Sequence, residues 1–163
     1  MSLLERRTVR RVREALVHAG ARDAVIELSE TARSAQEAAD AIGVPVGAIV
    51  KTLVFLVGDG AVLALVSGDR KCDAKALPGV LGLEGKVKRP DADRVRDETG
   101  FSIGGVAPVG GIRPLPVAID ASLGRFEIVY AAAGHTHCVF PTTLAELARL
   151  TGGTVSDRVA EAP

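Results

Sequence analysis

Lys51 stands third in Ile49-Val-Lys-Thr-Leu-Val-Phe-Leu-Val57, the most hydrophobic run of the chain. A lysine is almost never buried without a partner, so its ammonium must either snorkel to solvent from a strand end or point into a pocket. In a pocket it would hold an anion or a developing negative charge. A second concentration of unusual residues is Phe101–Pro116, FSIGGVAPVGGIRPLP, which holds four of the eighteen glycines, three of the eight prolines and a single charge, Arg113. Gly104 and Gly105 permit positive φ and close approach of another group, while Pro108 fixes its own φ and drives Ala107 towards extended backbone. Peptide N–H groups held rigidly in such a run can receive a carbonyl oxygen or an oxyanion. The plain alternative is a crossover between a helix and a strand. Asp120, ending an apolar strand, and the pair Gly134-His135 complete the set.

Other chemistries fit less well. His135 and His137, two apart, would share one face of a strand and with Cys138 or Asp120 could ligate zinc, but the spacing matches no zinc motif. There is no G-x-S-x-G elbow, so Ser67 and Ser102 are nucleophiles only by elimination, and neither Cys72 nor Cys138 has an activating context. No Gly-Lys-Ser/Thr follows a glycine-rich loop, which removes a P-loop. No metal and no cofactor are expected. One lysine, a rigid loop, an aspartate and a Gly-His pair suit positioning and electrostatic stabilisation of an already labile bond, such as an activated ester.

These residues need a scaffold. The chain has 163 residues, 47% of them apolar, 3% aromatic, with zero formal net charge. That length suits one domain, residues 1–163, with a core of Val, Leu, Ile and Ala. Zero charge argues against gripping nucleic acid by bulk charge, and leaves local patches as the route. The two separated cysteines read as reduced thiols of a cytoplasmic protein, the start is too charged for a secretory signal, and no apolar run would span a bilayer.

Leu3–Ala19 reads as a leading helix, within residues 1–20, whose Val9, Val12, Leu16 and Val17 fall at helical spacing opposite Arg6, Arg7, Arg10 and Arg13. Val25–Leu28 is a short strand, and Ser34-Ala-Gln-Glu37 is a capping box opening a helix that ends at Gly43. Ile49–Val57 and Ala61–Val66 form a hairpin turning at Asp59-Gly60, the centre of an antiparallel sheet. Helices follow over Asp73–Leu81 and Pro90–Thr99, with the basic segment Lys86–Arg89 between them. Leu115–Asp120, Phe126–Ala132 and Gly134–Phe140 are strands. Thr143-Leu-Ala-Glu146 caps the last helix, which stops at Gly152-Gly153, and the polar tail 154–163 is expected to fray. Hairpins interspersed with helices predict an α+β fold.

Taken together, the motifs resemble the YbaK/prolyl-tRNA editing family, the aminoacyl-tRNA-synthetase-associated domain, over Thr31–Asp157. The likeness rests on Ile49–Phe55, Leu65-Val-Ser-Gly-Asp69, Thr99–Pro108, Leu115–Leu123 and Ala133-Gly-His135, in that order and spacing. It implies a mixed, largely antiparallel, barrel-like sheet flanked by helices. It also implies a metal-free hydrolase that removes the wrong amino acid from the 3′ aminoacyl end of mischarged tRNA. Lys51 matches the family's essential lysine, and Gly104, Gly105, Val106 and Pro108 belong to its G-x-x-x-P loop, facing the aminoacyl carbonyl. Thr52, Ser67, Asp69, Ala107, Asp120, Gly134 and His135 stand at positions expected to contact substrate. Ala107 and Val109 replace the serine and phenylalanine of many members.

The expected substrate is tRNA(Pro) carrying alanine, serine, threonine or cysteine, with a prolyl-tRNA synthetase as candidate partner and neither DNA nor membrane. Arg6, Arg10, Arg13, Lys86, Lys88 and Arg89 are the candidate phosphate contacts. Two other readings stay open: a non-catalytic module that binds tRNA or a synthetase, and a metal hydrolase using His135 and His137.

Overall fold

The computed structural model describes residues 2–29 and 32–161; Thr31, where the resemblance begins, lies outside them. Five helices and ten strands alternate as α1 (Arg7–His18), β1 (Ile26–Glu27), α2 (Ala35–Ile42), β2 (Ile49–Val57), β3 (Gly60–Ser67), β4 (Lys71–Cys72), α3 (Leu77–Leu81), β5 (Val87–Lys88), α4 (Ala92–Thr99), β6 (Val117–Asp120), β7 (Val129–His135), β8 (Cys138–Thr142), α5 (Leu144–Thr151), β9 (Thr154–Ser156) and β10 (Ala160–Glu161). This is the α+β architecture that the order of motifs predicts.

The large sheet runs β1-β8-β7-β2-β3-β6-β9, with β5 added on β2, and β10 pairs with β4 separately. The β2–β3 hairpin is antiparallel and central, but β2–β7, β3–β6 and β6–β9 are parallel. The expectation of an antiparallel centre therefore holds for the hairpin and for β5 on β2, and not for the pairings with β7 and β6. Helical segments intervene between β3 and β6 and between β6 and β9, and such crossovers return the chain in the same direction. Among the described residues no pairing joins β1 to β9, so the sheet is open at those two edges.

Strand alternation divides the interior. Val50, Leu63, Leu65 and Ile119 pack on one face with Val9, Val12 and Leu16 of α1 and with Phe101 and Val106. Phe55, Val62, Ala64 and Val66 pack on the other with Leu77 of α3 and Val159. Successive side chains point to opposite faces, so Lys51 shares the face of Phe55. Side-chain oxygens of Ser34, Asp91 and Thr143 accept from the N–H groups of Glu37, Arg94 and Glu146, so α2, α4 and α5 begin at capped turns.

Several local expectations change, among them the single strand over Gly134–Phe140, which a turn at Thr136-His137 divides between β7 and β8, and the helix over Asp73–Leu81, which begins as a 3-10 turn. A 3-10 turn, Leu3–Glu5, precedes α1, because Arg6 takes extended backbone and interrupts the helix. Val57 pairs with Gly60, so the hairpin turns at Gly58-Asp59, with Gly58 supplying the positive φ of +60°. Asp91, not Pro90, opens α4. The tail does not fray: β9 extends the sheet beside β6, β10 pairs with β4, and Val159 is fully buried. Three-residue and two-residue strands are too short to show a period in the sequence.

Candidate functional site: a gap in the sheet beside a pinned glycine loop

One edge of β2 is covered by β3 along its length. The other edge meets β7 only at Ile49 and Val50 and meets β5 only at Leu56 and Val57. Between them, on that edge, Lys51–Phe55 has no neighbouring strand among the described residues. The Gly68 N–H donates to the Ile49 carbonyl at 2.7 Å, which sets the phase of the β2–β3 ladder. Lys51, Leu53 and Phe55 therefore exchange hydrogen bonds with β3, and Thr52 and Val54 turn their peptide groups to the open edge.

A cavity of about 440 Å³ occupies this gap. Its walls are β2, the start of α2 at Ser34 and Ala35, the loop residues Ile103, Gly104 and Val106, and Tyr130, Thr136 and Cys138 from the β7–β8 hairpin. The charged residues lining it are Arg33, Lys51 and Arg89, with no carboxylate among the described residues. Arg89 lies over the Phe55 ring, 5.5 Å from its centroid. Apolar walls under a cationic rim suit a ligand with a small apolar part and an attached anion.

Lys51 is half-buried, and its ammonium donates to the carbonyl of Arg70. Cys72 is close by: burial pushes its thiol up to about 11, against the pull of the Lys51 charge.

The loop is fixed on the opposite wall. Gly105 N–H donates to Ser102 carbonyl at 3.0 Å, closing a turn whose third residue, Gly104, has φ +90°. That conformation belongs to glycine. Gly105 is buried so tightly that a Cβ there would come within 3.1 Å of the His135 backbone. Val106 and Ala107 are buried, whereas Ile103 is 62% exposed at the tip.

The loop separates the expected residues into groups. Lys51, Thr52, Gly104 and Val106 line the gap cavity. Gly105, Gly134 and His135 line a second cavity, also about 440 Å³, with Arg6 and Arg7; Ile103 and Thr136 border both. Ala107 and Pro108 line a third, about 340 Å³, under Ile112–Leu115. Ser67, Asp69 and Asp120 line none of these three and meet instead behind Lys51. There Asp120 accepts from the N–H groups of Ser67 and Ser122 at 3.0 and 2.8 Å.

His135 and His137 do not share a strand face. His135 ends β7, Thr136-His137 is the turn, and the His137 N–H donates to His135 Nδ1 at 3.1 Å. Burial, then the neighbouring His137 and Arg6, hold the His135 imidazole below its ordinary value. Among the described residues no group of three or more His, Cys, Asp or Glu side chains is gathered as a metal site. Of the candidate phosphate contacts, Arg13 is engaged by Asp23 at 2.9 Å and Glu5 at 3.4 Å, and Arg10 pairs more loosely with Glu14 at 3.9 Å.

Sequence reasoning missed Arg33, Tyr130 and Thr136 in the cavity wall, weighed Cys138 only as a metal ligand or nucleophile, and missed Arg125. No motif surrounds these residues. The capping box at Ser34 was the one signal near Arg33, and it spoke only of a helix start.

Residues 29–150 match the model of the aminoacyl-tRNA editing domain. A Bacillus subtilis protein, YwhH, itself uncharacterized, is 34% identical over 124 residues, covering 76% of this chain and 78% of YwhH. The proline–tRNA ligase of Thermosipho africanus is 38% identical over 78 residues, covering 48% of this chain but only 14% of the ligase. A solved structure described as a candidate trans-editing enzyme for prolyl-tRNA synthetase superposes with a TM-score of 0.88 at 41% identity, covering 96% of this chain and 99% of that one. The chain belongs to the aminoacyl-tRNA editing domain family. Among the described residues no helix is long and apolar enough to cross a membrane.

Proposed function

We propose that this protein is a trans-editing aminoacyl-tRNA deacylase that needs no metal and acts on tRNA(Pro) carrying a small wrong amino acid. The observation that carries the reading is the gap cavity, with Lys51 on one wall, the backbone of Gly104 and Val106 on the other, and cations but no carboxylate around it. Membership of the editing family and the likeness to a candidate trans-editing enzyme for prolyl-tRNA synthetase support it.

In this reading the amino-acid side chain occupies the apolar part of the cavity and the terminal ribose lies towards Lys51. Water attacks the ester carbonyl carbon. Charge develops on the carbonyl oxygen beside the backbone of Gly104 and Val106, where fixed peptide dipoles stabilise it without reorganisation. The carbon–oxygen bond to the ribose then breaks as the proton given up by the water passes to the leaving ribose oxygen, giving free amino acid and tRNA with a free 3′-terminal hydroxyl. Lys51 supplies a fixed positive charge, and no protein nucleophile is required. Binding of the tRNA body is weak and salt-sensitive, because Arg33 and Arg89 act on a neutral chain, and a synthetase partner supplies the rest by raising effective concentration.

The test is the hydrolysis rate of alanyl-, seryl-, threonyl-, cysteinyl- and prolyl-tRNA(Pro) on one tRNA body, with and without EDTA. The small esters are expected to be cleaved, poorly separated from one another because a methylene in an apolar pocket discriminates by only ~1–3 kcal/mol. Prolyl-tRNA should be spared and chelation without effect. Equal rates for prolyl-tRNA and the small esters would overturn the editing reading. Loss with EDTA and recovery with zinc would favour a metal hydrolase.

A further inference from the structure

We infer that Arg125 is a positioning residue, which locks the turn Ser67–Arg70 so that the Arg70 carbonyl holds the Lys51 ammonium in place. The inference rests on the reading of Lys51 given above. Arg125 has no part in the sequence motifs and lines neither the gap cavity nor the cavity of His135.

A lysine side chain has a flexible four-carbon stem, and fixing it costs rotamer freedom. An ammonium meant to sit at one point therefore needs an acceptor that does not itself move. Here the acceptor is a main-chain carbonyl at the end of a tight turn, in which Arg70 N–H donates to Ser67 carbonyl at 3.0 Å. The main chain of the turn is anchored at Ser67, Gly68 and Arg70. Ser67 N–H donates to Asp120, and Gly68 N–H donates to Ile49 carbonyl. A Cβ at Gly68 would come within 2.3 Å of the Val46 carbonyl, so this stretch lies directly on its neighbour.

Asp69 alone needs an external hold, and Arg125 provides it. Its Nη1 and Nη2 donate to the two oxygens of Asp69 at 3.0 and 2.8 Å, a fork on a fork. Nη2 also donates to Ser67 Oγ at 2.9 Å, and Nε donates to Ser122 carbonyl at 2.8 Å. The Ser67 hydroxyl stands 2.6 Å from Gly47 carbonyl and 2.9 Å from Asp69 Oδ1. The guanidinium lies 5.0 Å over the Phe126 ring, which fixes its plane. One side chain thus ties the turn to the segment after β6, where Asp120 already holds Ser67 and Ser122. Ser67, Asp69 and Asp120 belong to this staple and line none of the three cavities around the loop.

Because Arg125 acts through Lys51, its loss should appear in turnover and in the freedom of Lys51, more than in substrate affinity. The test uses the full chain with alanyl-tRNA(Pro) and four proteins: wild type, Arg125→Ala, Arg125→Lys and Lys51→Ala. Rates are split into kcat and KM. Acetylation of Lys51 by limiting acetic anhydride is followed by mass spectrometry against exposed Lys75. Arg125→Ala is expected to lower kcat about 10- to 100-fold, the range for a misplaced catalytic group, and to speed labelling of Lys51 relative to Lys75. Arg125→Lys, which keeps the charge but not the fork, should fall between and serves if the alanine variant does not fold. Wild-type kcat and labelling in a folded Arg125 variant, with Lys51→Ala inactive, would overturn the positioning role and leave the site intact. Wild-type activity in Lys51→Ala would overturn the reading of Lys51 itself, and the positioning role with it.

Discussion

Gly134 belongs to the Gly-His pair expected at the substrate site, yet the structure shows that its place is demanded by packing. Its φ is +93°, and a Cβ there would come within 2.6 Å of the Thr8 carbonyl oxygen and 2.8 Å of the Thr8 carbonyl carbon. Both are main-chain atoms of α1, so no side chain can swing aside. Gly134→Ala should therefore cost left-handed backbone strain of ~1–2 kcal/mol and overpacking of ~1–3 kcal/mol. Gly82→Ala is the matched control, with φ +67° and nothing within 4 Å of the added methyl. It should show only the strain. With roughly 3 °C of melting temperature per kcal/mol for a chain of this length, Gly82→Ala should fall by about 5 °C and Gly134→Ala by about 10 °C. Scanning calorimetry measures both. Hydrogen exchange should also show lost protection at Val12 and Leu16, which are buried on that face of α1. Equal melting temperatures for the two variants would refute the argument that α1 rests on Gly134.

The remaining expectations are shorter. Lys51→Ala should remove deacylation with the melting temperature nearly unchanged, and Lys51→Arg should not restore it, because a planar guanidinium cannot occupy the place of a compact ammonium. Near-normal turnover in Lys51→Ala would contradict the mechanism. Asp69 should make the fold acid-sensitive: the Arg125 hydrogen bonds, and then the Ser67 hydroxyl, outweigh burial and hold its carboxyl below the usual 3.8. A depressed carboxylate stabilises the fold above its unfolded value and loses that contribution as pH falls through the folded one. Melting temperatures of wild type and Asp69→Asn should therefore converge below about pH 4, and a constant gap at all pH values would contradict the pairing.

What was legible in the sequence followed from local rules. Ser34 and Thr143 cap helices because short side-chain oxygens reach the free N–H groups of a first turn, and each carries the Glu of a capping box three residues on. Ile49–Val57 is a strand because nine consecutive residues include one charge. Lys51 and the Gly104 turn drew attention because each breaks its surroundings, a cation in an apolar run and glycines without helix or strand period. Long-range facts left no such mark. The parallel pairing of β2 with β7 joins residues some eighty positions apart. The fork of Arg125 on Asp69 spans 56 positions, and nothing near Arg125 distinguishes it from a surface arginine.

The tail shows the same limit, since Val155 and Val159 carry too short a pattern to reveal two strands. Yet those long-range pairings make the site. β7 leaves β2 after two residues and β5 joins it only five residues later, so the cavity exists because neither strand covers Lys51–Phe55. The lysine's identity could be read along the chain. Its opportunity to act arises from where two distant strands stop.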